Sequence, residues 1–206
     1  MTDIEIVNGG LVELGFVYQH FIKDFAVEEL KNFEQLESLL KSGDYKLLLA
    51  IDRTNHEKVG YAFIYEFIQN NAIWLDYMAI IHKYRNKGYG KILMNKIANY
   101  KQDELGVFFE VEIPVEGQDK ENQLRRINFY ERLSARRLHI NYEFPTNNGG
   151  FPMYLYFLPS ADLKILSKNL IQEALTEAFE CIHTDVKNKA KILSHFFSTI
   201  EDEQFL

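Results

Sequence analysis

The sequence predicts a mixed α/β fold in which helices cover both faces of a mixed central sheet, followed by a C-terminal helical extension. The first observation is the order of hydrophobic patterns: helix, helix, three strands, helix, strand, helix and two strands. The second is a change from strand to helix periodicity at a glycine-containing turn, residues 85–90. The third is a purely helical pattern from residue 161 onward. We therefore expect one α/β domain over residues 1–160 and a helical extension over residues 161–206.

Each element follows from its own residues. Weak alternation over residues 3–7 predicts a first strand, and apolar residues at three- and four-residue spacing predict helices over 11–25 and 27–40. Buried or β-rich runs predict further strands over residues 45–51, 59–68, 73–81, 107–113, 137–144 and 153–158. Helical spacing predicts two more helices, one starting just after Gly88 and one over 119–133. A turn is expected over 145–150, and a break between two final helices near 183–187.

Composition and charge exclude several classes of protein. Apolar residues make up 47% of the chain, which is enough for a core and excludes intrinsic disorder. A net charge of -7 disfavours nucleic acid as a partner. The single cysteine, Cys181, excludes an intrachain disulfide, and the six histidines lack metal-ligand spacing, so no metal is expected. Neither a signal peptide nor an apolar run of ~18 residues is present, so we expect a cytoplasmic protein without a membrane partner.

A short basic and glycine-containing segment joins a predicted strand to a predicted helix. Its sequence is Arg85-Asn86-Lys87-Gly88-Tyr89-Gly90. Two glycines let the main chain approach a bulky anion, and the first amides of the helix and its dipole then face that anion. Arg85 and Lys87 add positive charge. We predict a phosphate or pyrophosphate site. A P-loop needs Ser or Thr where Ile92 stands, and a dinucleotide fingerprint needs a small residue where Leu93 stands.

Together with residues 75–84, this loop resembles the cofactor motif of the GNAT superfamily of acetyl-CoA-dependent N-acetyltransferases. The resemblance implies two splayed cofactor-binding strands and acetyl-CoA as the cofactor. It implies that the main chain of Met78, Ala79 and Ile80 pairs with the pantetheine arm. It also implies that the main-chain amides of this loop hold the pyrophosphate. These are the amides of Asn86, Lys87, Gly88, Tyr89, Gly90 and Lys91. The alternative is an ordinary glycine-containing connection.

A second segment, residues 123–135, is similar to the signature Asn-x-x-Ala-x-x-x-Tyr-x-x-x-Gly-Phe of the same superfamily. Phe129 and Tyr130 agree with it; Gln123, Arg126, Ser134 and Ala135 depart from it. Asn122 lies one residue from the expected Asn, so Asn122 and Phe129 are the cofactor contacts that the resemblance implies here. It further implies that Tyr130 donates a proton to the leaving thiolate, with the Ile80 N–H polarising the thioester carbonyl.

The residue that removes a proton from the attacking amine stays open among three carboxylates. Asp76 shares a strand face with Trp74, Met78 and Ile80, so it is expected to face the thioester. Glu110 and Glu112 share one face of the next strand. A carboxylate can relay the amine proton through water, and an acidic cleft suits a cationic substrate. For each of the three, the alternative is a solvated or ion-paired carboxylate.

The function that the sequence predicts is transfer of the acetyl group of acetyl-CoA to a primary amine by direct attack. The alternatives are a non-catalytic acyl-CoA-binding regulatory module of the same fold and a nucleotide-dependent transferase. The acceptor stays open between small-molecule amines and peptide amines. The apolar stripes of the C-terminal helices predict packing on their own domain, and the alternative is a homodimer interface.

Overall fold

The computed structural model describes residues 3–101, 104–146, 149–160 and 163–205. These residues form a mixed α/β fold with C-terminal helices, which confirms the predicted fold class. They divide into two compact units. The first unit contains the described residues of Met1–Ile68 and Leu75–Gln102, and the second contains those of Gln69–Trp74 and Asp103–Leu206.

The strands of the first unit follow one another in space as they do in the chain. They are β1 (Ile4–Gly9), β2 (Tyr45–Asp52), β3 (Lys58–Glu66) and residues 75–80 of β4 (Ile73–Ile80). β1 pairs antiparallel with β2, with Ile4 opposite Asp52, and β2 pairs antiparallel with β3. Nearly every residue of β2 and β3 is buried, because helices cover this part of the sheet.

Three helices belong to the first unit: α1 (Leu11–Asp24), α2 (Phe33–Ser42) and α3 (Tyr89–Ile97). Each buries one apolar stripe, such as Leu14, Val17 and Phe21 of α1.

The helix predicted over 27–40 is wrong in its first part, where a 3₁₀ turn, Val27–Glu29, precedes an extended stretch. Asn32 starts α2 by capping it, since its Oδ1 accepts a hydrogen bond from the Gln35 amide at 2.8 Å. Gln35 Oε1 accepts one from the Asn32 amide at the same distance.

The strands of the second unit are organised around one long strand, β8. β5 (Gly106–Glu112), β6 (Arg136–Arg137) and β7 (Glu143–Thr146) all pair antiparallel with β8 (Gly149–Pro159). The strand predicted over 137–144 is therefore two strands. It is interrupted because the amides of Ile140 and Tyr142 bond to carbonyls only two residues back, which turns the chain away from the ladder.

The turn predicted over residues 145–150 is also corrected. Pro145 and Thr146 pair with Gly150 and Gly149 in the β7–β8 ladder. The rest of the predicted turn, residues 147–148, lies outside the described residues.

The remaining elements of the second unit are α4 (Lys120–Glu131), β9 (Ile165–Leu166), α5 (Lys168–Cys181), α6 (Lys189–Phe197) and β10 (Glu203–Gln204). β9 and β10 pair with each other, a feature that the all-helical prediction missed. The ring of Phe196 in α6 lies 5.1 Å from that of Tyr142 and 5.8 Å from that of Phe179 in α5. These contacts place both helices against their own chain. The domain boundary after residue 160 remains a prediction.

Candidate active site

The end of β4 lies unusually close to β3. A Cβ atom added to Gly60 of β3 would stand 2.8 Å from the carbonyl oxygen of Ala79 and 2.7 Å from Cδ1 of Ile80. Just beyond, the amide of Ile81 donates to the carbonyl of Val59 at 2.9 Å. Only glycine permits this approach. Met78, Ala79 and Ile80 are half-buried, so the end of β4 remains partly accessible on its other sides.

The chain leaves β4 through a 3₁₀ turn, His82–Tyr84, and enters the predicted phosphate loop. Asn86 has φ 63° and Gly88 has φ 85°, so two left-handed residues lie within three positions. Such alternation directs successive amides to one side and forms an anion-binding concavity. Helix α3 begins at Tyr89, and its N-cap residue, Gly88, has no side chain with which to bond the first amides of the helix. The first amides of α3 are therefore left for a ligand or water.

The side chains of the loop divide into exposed and anchored ones. Asn86, Lys87 and Lys91 are exposed, and the Lys87 ammonium lies 5.5 Å from the centre of the Tyr84 ring. Tyr89 is buried, and its hydroxyl donates to Oδ2 of Asp52. Arg85 is also engaged, since its guanidinium donates to the Ile80 carbonyl and to Asp24. The predicted charge of Arg85 is present at the loop, although its Nε–H and one of its terminal NH2 groups are bonded to these partners.

Asp76 lies in the first unit with its carboxylate fully buried. Both oxygens accept from the ammonium of Lys31, at 3.0 and 2.9 Å, and Oδ2 also accepts from the Tyr45 hydroxyl. Burial, and then the charge of Asp76, raise the pKa of Tyr45 well above its ordinary value, so the phenol stays a neutral donor. This geometry is that of a buried ion pair with an added hydrogen bond.

Tyr130 lies in the second unit, on the inner side of α4. It is 9% exposed, and its ring packs 4.5 Å from Phe109 and 5.1 Å from Phe129. Burial raises the pKa of Tyr130, and the nearby Arg126 opposes that rise. Its hydroxyl has no hydrogen-bond partner among the described residues. The phenol is therefore protonated at neutral pH and available to a ligand atom.

Glu110 and Glu112 lie two positions apart on β5, as predicted, and both are half-buried. An oxygen of Glu110 accepts from the hydroxyl of Tyr142, and Glu112 forms an ion pair with Arg126 of α4. At the start of α4, Asn122 donates to Oδ1 of Asp119 at 2.7 Å. Gln123, which replaces the expected Asn of the second signature, accepts from the Val115 amide at 3.0 Å. It thereby fixes the loop that follows β5.

Sequence reasoning missed the residues that anchor these groups. Asp24 lies 61 positions from Arg85, Asp52 lies 37 from Tyr89, and Tyr142 lies 32 from Glu110. Contacts over such separations leave no periodic or local pattern in one sequence. They become visible only when the sheet and helices are assembled.

The part of the chain that the structure describes contains neither a metal-binding cluster nor a membrane-spanning helix. Its His, Cys, Asp and Glu side chains form no group of three or more arranged to bind a metal ion. None of its helices has the length and apolar character needed to cross a membrane.

Comparison with known proteins identifies one segment of this chain. Residues 44–133 match the model of a family described as the acetyltransferase (GNAT) domain. This segment contains β4, the phosphate loop, α3, β5 and α4. The match identifies a GNAT acetyltransferase domain in this chain and confirms the resemblance seen in the sequence. No curated protein matches the chain by sequence.

Solved structures share the fold. A protein from Bacteroides thetaiotaomicron assigned to the GNAT family of acetyltransferases has a TM-score of 0.72 at 22% identity, covering 89% of this chain and 100% of its own. The ribosomal-protein-S18-alanine N-acetyltransferase of Escherichia coli has 0.56 at 17%, covering 78% and 99%. The spermidine N-acetyltransferase of Vibrio cholerae, in complex with CoA and spermine, has 0.57 at 12%, covering 76% and 95%. At these identities the likeness shows the GNAT fold.

Proposed function

We propose that this chain transfers the acetyl group of acetyl-CoA to a primary amine by direct attack of that amine. The observation that carries the proposal is the conformation of residues 85–91. Left-handed Asn86 and Gly88 are followed at once by a helix without a side-chain cap, one 3₁₀ turn after β4. This arrangement suits the pyrophosphate of coenzyme A, because its amides need no side chain to bind two phosphates.

The residues present fit the cofactor in charge as well as in shape. The amides from Asn86 to Lys91 would hold the pyrophosphate, and the exposed ammonium groups of Lys87 and Lys91 would add charge to it. The main chain of Met78, Ala79 and Ile80 would pair with the pantetheine arm, since this strand end is partly accessible. Acetyl-CoA, when bound, supplies an acetyl group activated as a thioester.

Tyr130 is proposed to hold the proton that the departing sulfur requires. Its raised pKa keeps the phenol protonated at neutral pH. Without a competing hydrogen bond among the described residues, the Oη atom can donate to a ligand atom placed beside it. The Ile80 N–H is proposed to stabilise negative charge on the thioester oxygen.

For the base, we propose Glu110 or Glu112 in preference to Asp76. Asp76 is fully buried and neutralises the buried Lys31, so taking up a proton would leave that ammonium without its counter-charge. Glu110 accepts from the hydroxyl of Tyr142, and Glu112 pairs with Arg126. Both carboxylates are only half-buried, so either can exchange a proton with a water molecule.

The acceptor is proposed to be a small-molecule or peptide amine. The two characterised relatives above act on a polyamine and on an alanine of a ribosomal protein, so neither class is favoured over the other. An acceptor screen therefore needs spermidine, spermine, aminoglycosides, amino acids and peptides with free N-termini.

The proposal is tested by thermal unfolding with acetyl-CoA, coenzyme A, ATP and NAD, each in turn. A ligand at one hundred times its Kd adds about 2.7 kcal/mol, which raises the Tm of a chain of this size by several degrees. We expect that rise with acetyl-CoA and coenzyme A alone. A folded sample that shows no rise with either would contradict the proposal. A rise without release of free thiol from acetyl-CoA, for every amine tried, would favour the non-catalytic acyl-CoA-binding module.

A further inference from the structure

Arg85, the first residue of the phosphate loop, connects three parts of the first unit. Its Nε–H donates to the carbonyl of Ile80, the last residue of β4, at 2.9 Å. Its terminal NH2 group donates to Oδ1 of Asp24, the last residue of α1, at 2.5 Å. One planar side chain thus fixes the start of the loop to the end of a strand and the end of a helix.

Asp24 is itself held in place from the sheet. Its carboxylate is 8% exposed, and Oδ2 accepts from the hydroxyl of Tyr61, in the middle of β3, at 2.9 Å. Burial, and then the charge of Asp24, hold the pKa of Tyr61 well above its ordinary value. The hydroxyl therefore stays protonated at neutral pH and can donate to Asp24. The two oxygens of Asp24 are therefore divided between the sheet and the loop.

A second carboxylate holds the other end of the same loop. The Tyr89 hydroxyl donates to Oδ2 of Asp52, the last residue of β2. Oδ1 of Asp52 accepts from the amides of Thr54 at 2.7 Å and Asn55 at 3.3 Å. Asp52 is thus fixed by its own turn and presents its other oxygen to Tyr89.

Between these two anchors lie the residues with left-handed backbone, Asn86 and Gly88. Left-handed backbone costs free energy at a residue other than glycine, although less at Asn than at most residues, so contacts on either side help to hold it. A loop held in its binding conformation beforehand loses less entropy when the ligand arrives. The anchors at Arg85 and Tyr89 supply that constraint.

We propose that Asp24 and Asp52 are positioning residues of the acetyl-CoA loop, acting through Arg85 and Tyr89. The inference rests on the proposed function and extends it to two residues outside both sequence motifs. They act on cofactor affinity and not on the chemical step, because their contacts are with the loop and not with the reacting groups.

The test compares Asp24→Asn and Asp52→Asn with wild type by titration calorimetry with coenzyme A and by steady-state kinetics. Each substitution weakens the charge-assisted hydrogen bond that holds one end of the loop, so the Kd for coenzyme A and the KM for acetyl-CoA should rise roughly tenfold. We expect kcat at saturating acetyl-CoA and the KM for the amine to stay near the wild-type values. Asp24→Glu, which keeps the charge, should recover part of the affinity.

Asp3→Asn is the matched control, because Asp3 pairs with Arg53 at an exposed position of the same unit. It should leave the Kd unchanged. If Asp24→Asn does not fold, Tyr61→Phe and Tyr89→Phe remove one hydrogen bond to each carboxylate without changing charge. Unchanged Kd in folded variants, or a loss confined to kcat, would overturn the inference. Absence of coenzyme A binding to wild type would instead overturn the proposed function itself.

Discussion

Gly60 and Ala79 approach so closely that a Cβ at position 60 would stand 2.8 Å from the Ala79 carbonyl oxygen. The contact joins β3 to the end of β4, where the pantetheine arm is proposed to bind. Because the neighbouring atom belongs to the main chain, it cannot move aside as a flexible side chain does. The position of the end of β4 therefore depends on the absence of a side chain at residue 60.

Gly60→Ala is expected to displace the end of β4. Overpacking of this kind costs about 1–3 kcal/mol of unfolding free energy. We also expect the KM for acetyl-CoA to rise, since Met78, Ala79 and Ile80 would shift with the strand. Urea unfolding and steady-state kinetics measure the two effects.

Gly15→Ala provides the control for this substitution. Position 15 is in the exposed face of α1, and an added Cβ there meets nothing within 4 Å. Because alanine is favoured over glycine in a helix, this variant should gain about 0.5–1 kcal/mol. Wild-type stability and KM in Gly60→Ala would mean that the contact between Gly60 and Ala79 does not determine the position of β4.

Gly88→Ala tests the phosphate loop in a different way. Position 88 has open space around it, so the substitution acts only through φ 85°, at a cost of about 1–2 kcal/mol. If the loop relaxes toward negative φ, its amides no longer converge, and the Kd for coenzyme A rises. Gly43→Ala has the same combination of positive φ and open space at the end of α2, far along the chain from the loop. It should lose similar stability while keeping the coenzyme A affinity.

The pair formed by Lys31 and Asp76 gives a third prediction. Asp76→Asn leaves a buried ammonium without its counter-charge and should cost about 3–5 kcal/mol of stability. The double variant Lys31→Met, Asp76→Leu should recover most of that loss, because it removes both charges together. Chemical unfolding of the single and double variants measures the difference.

The same variants decide which carboxylate acts as the base. We expect the folded double variant to retain turnover, whereas Glu110→Gln or Glu112→Gln should lower kcat about 10²–10⁴-fold for whichever residue is the base. If Glu110→Gln and Glu112→Gln both retained turnover and the Lys31→Met, Asp76→Leu variant lost it, Asp76 would be the base.

The sequence predicted those features that depend on residues close together in the chain. It did not predict contacts between residues that are far apart in the chain. The turn over residues 85–90 was placed correctly between β4 and α3, because strand, glycine and helix signals occur within a few residues; its phosphate-binding role stays a prediction. The start of α2 carries an equally local signal, Asn32 followed by Gln35. It was missed because the apolar spacing of residues 27–40 predicted one longer helix. The break between β6 and β7 arises from main-chain bonds within residues 138–142, and no residue type marks it. Nothing in the sequence pairs Asp24 with Arg85 or Lys31 with Asp76.

Tyr130→Phe is expected to lower the rate of acetyl transfer without changing the affinity for coenzyme A. The ring keeps its contacts with Phe109 and Phe129, so stability and the Kd for coenzyme A should change little. Loss of the proton donor should lower kcat about 10²–10⁴-fold. Tyr100→Phe, which removes an exposed hydroxyl bonded to Asn8, is the control and should retain turnover. Full activity in Tyr130→Phe would assign the proton to water or to another group.

The bond between Tyr89 and Asp52 predicts how stability depends on pH. The hydrogen bond from Tyr89 lowers the pKa of Asp52, and the same bond raises the pKa of Tyr89 to about 12. The unfolded tyrosine releases its proton near pH ~10, so the Tyr89 contribution is complete below that pH and is lost as pH rises toward 12. The unfolded aspartate titrates near pH ~4, so the Asp52 contribution is present above that pH and is lost as pH falls through its folded pKa.

Melting curves of wild type and Tyr89→Phe from pH 3 to 11.5 test this dependence. Since the bond is intact only between the two limits, the difference in Tm should be largest near pH 7 and should narrow toward both ends. Tyr156, whose pKa is also raised to about 12, is present in both proteins and cancels in the comparison. A difference near zero across the whole range would mean that Tyr89 stabilises the loop by packing alone, because phenylalanine keeps the ring. Coenzyme A affinity measured in the same series would then show whether packing suffices to hold the phosphate loop.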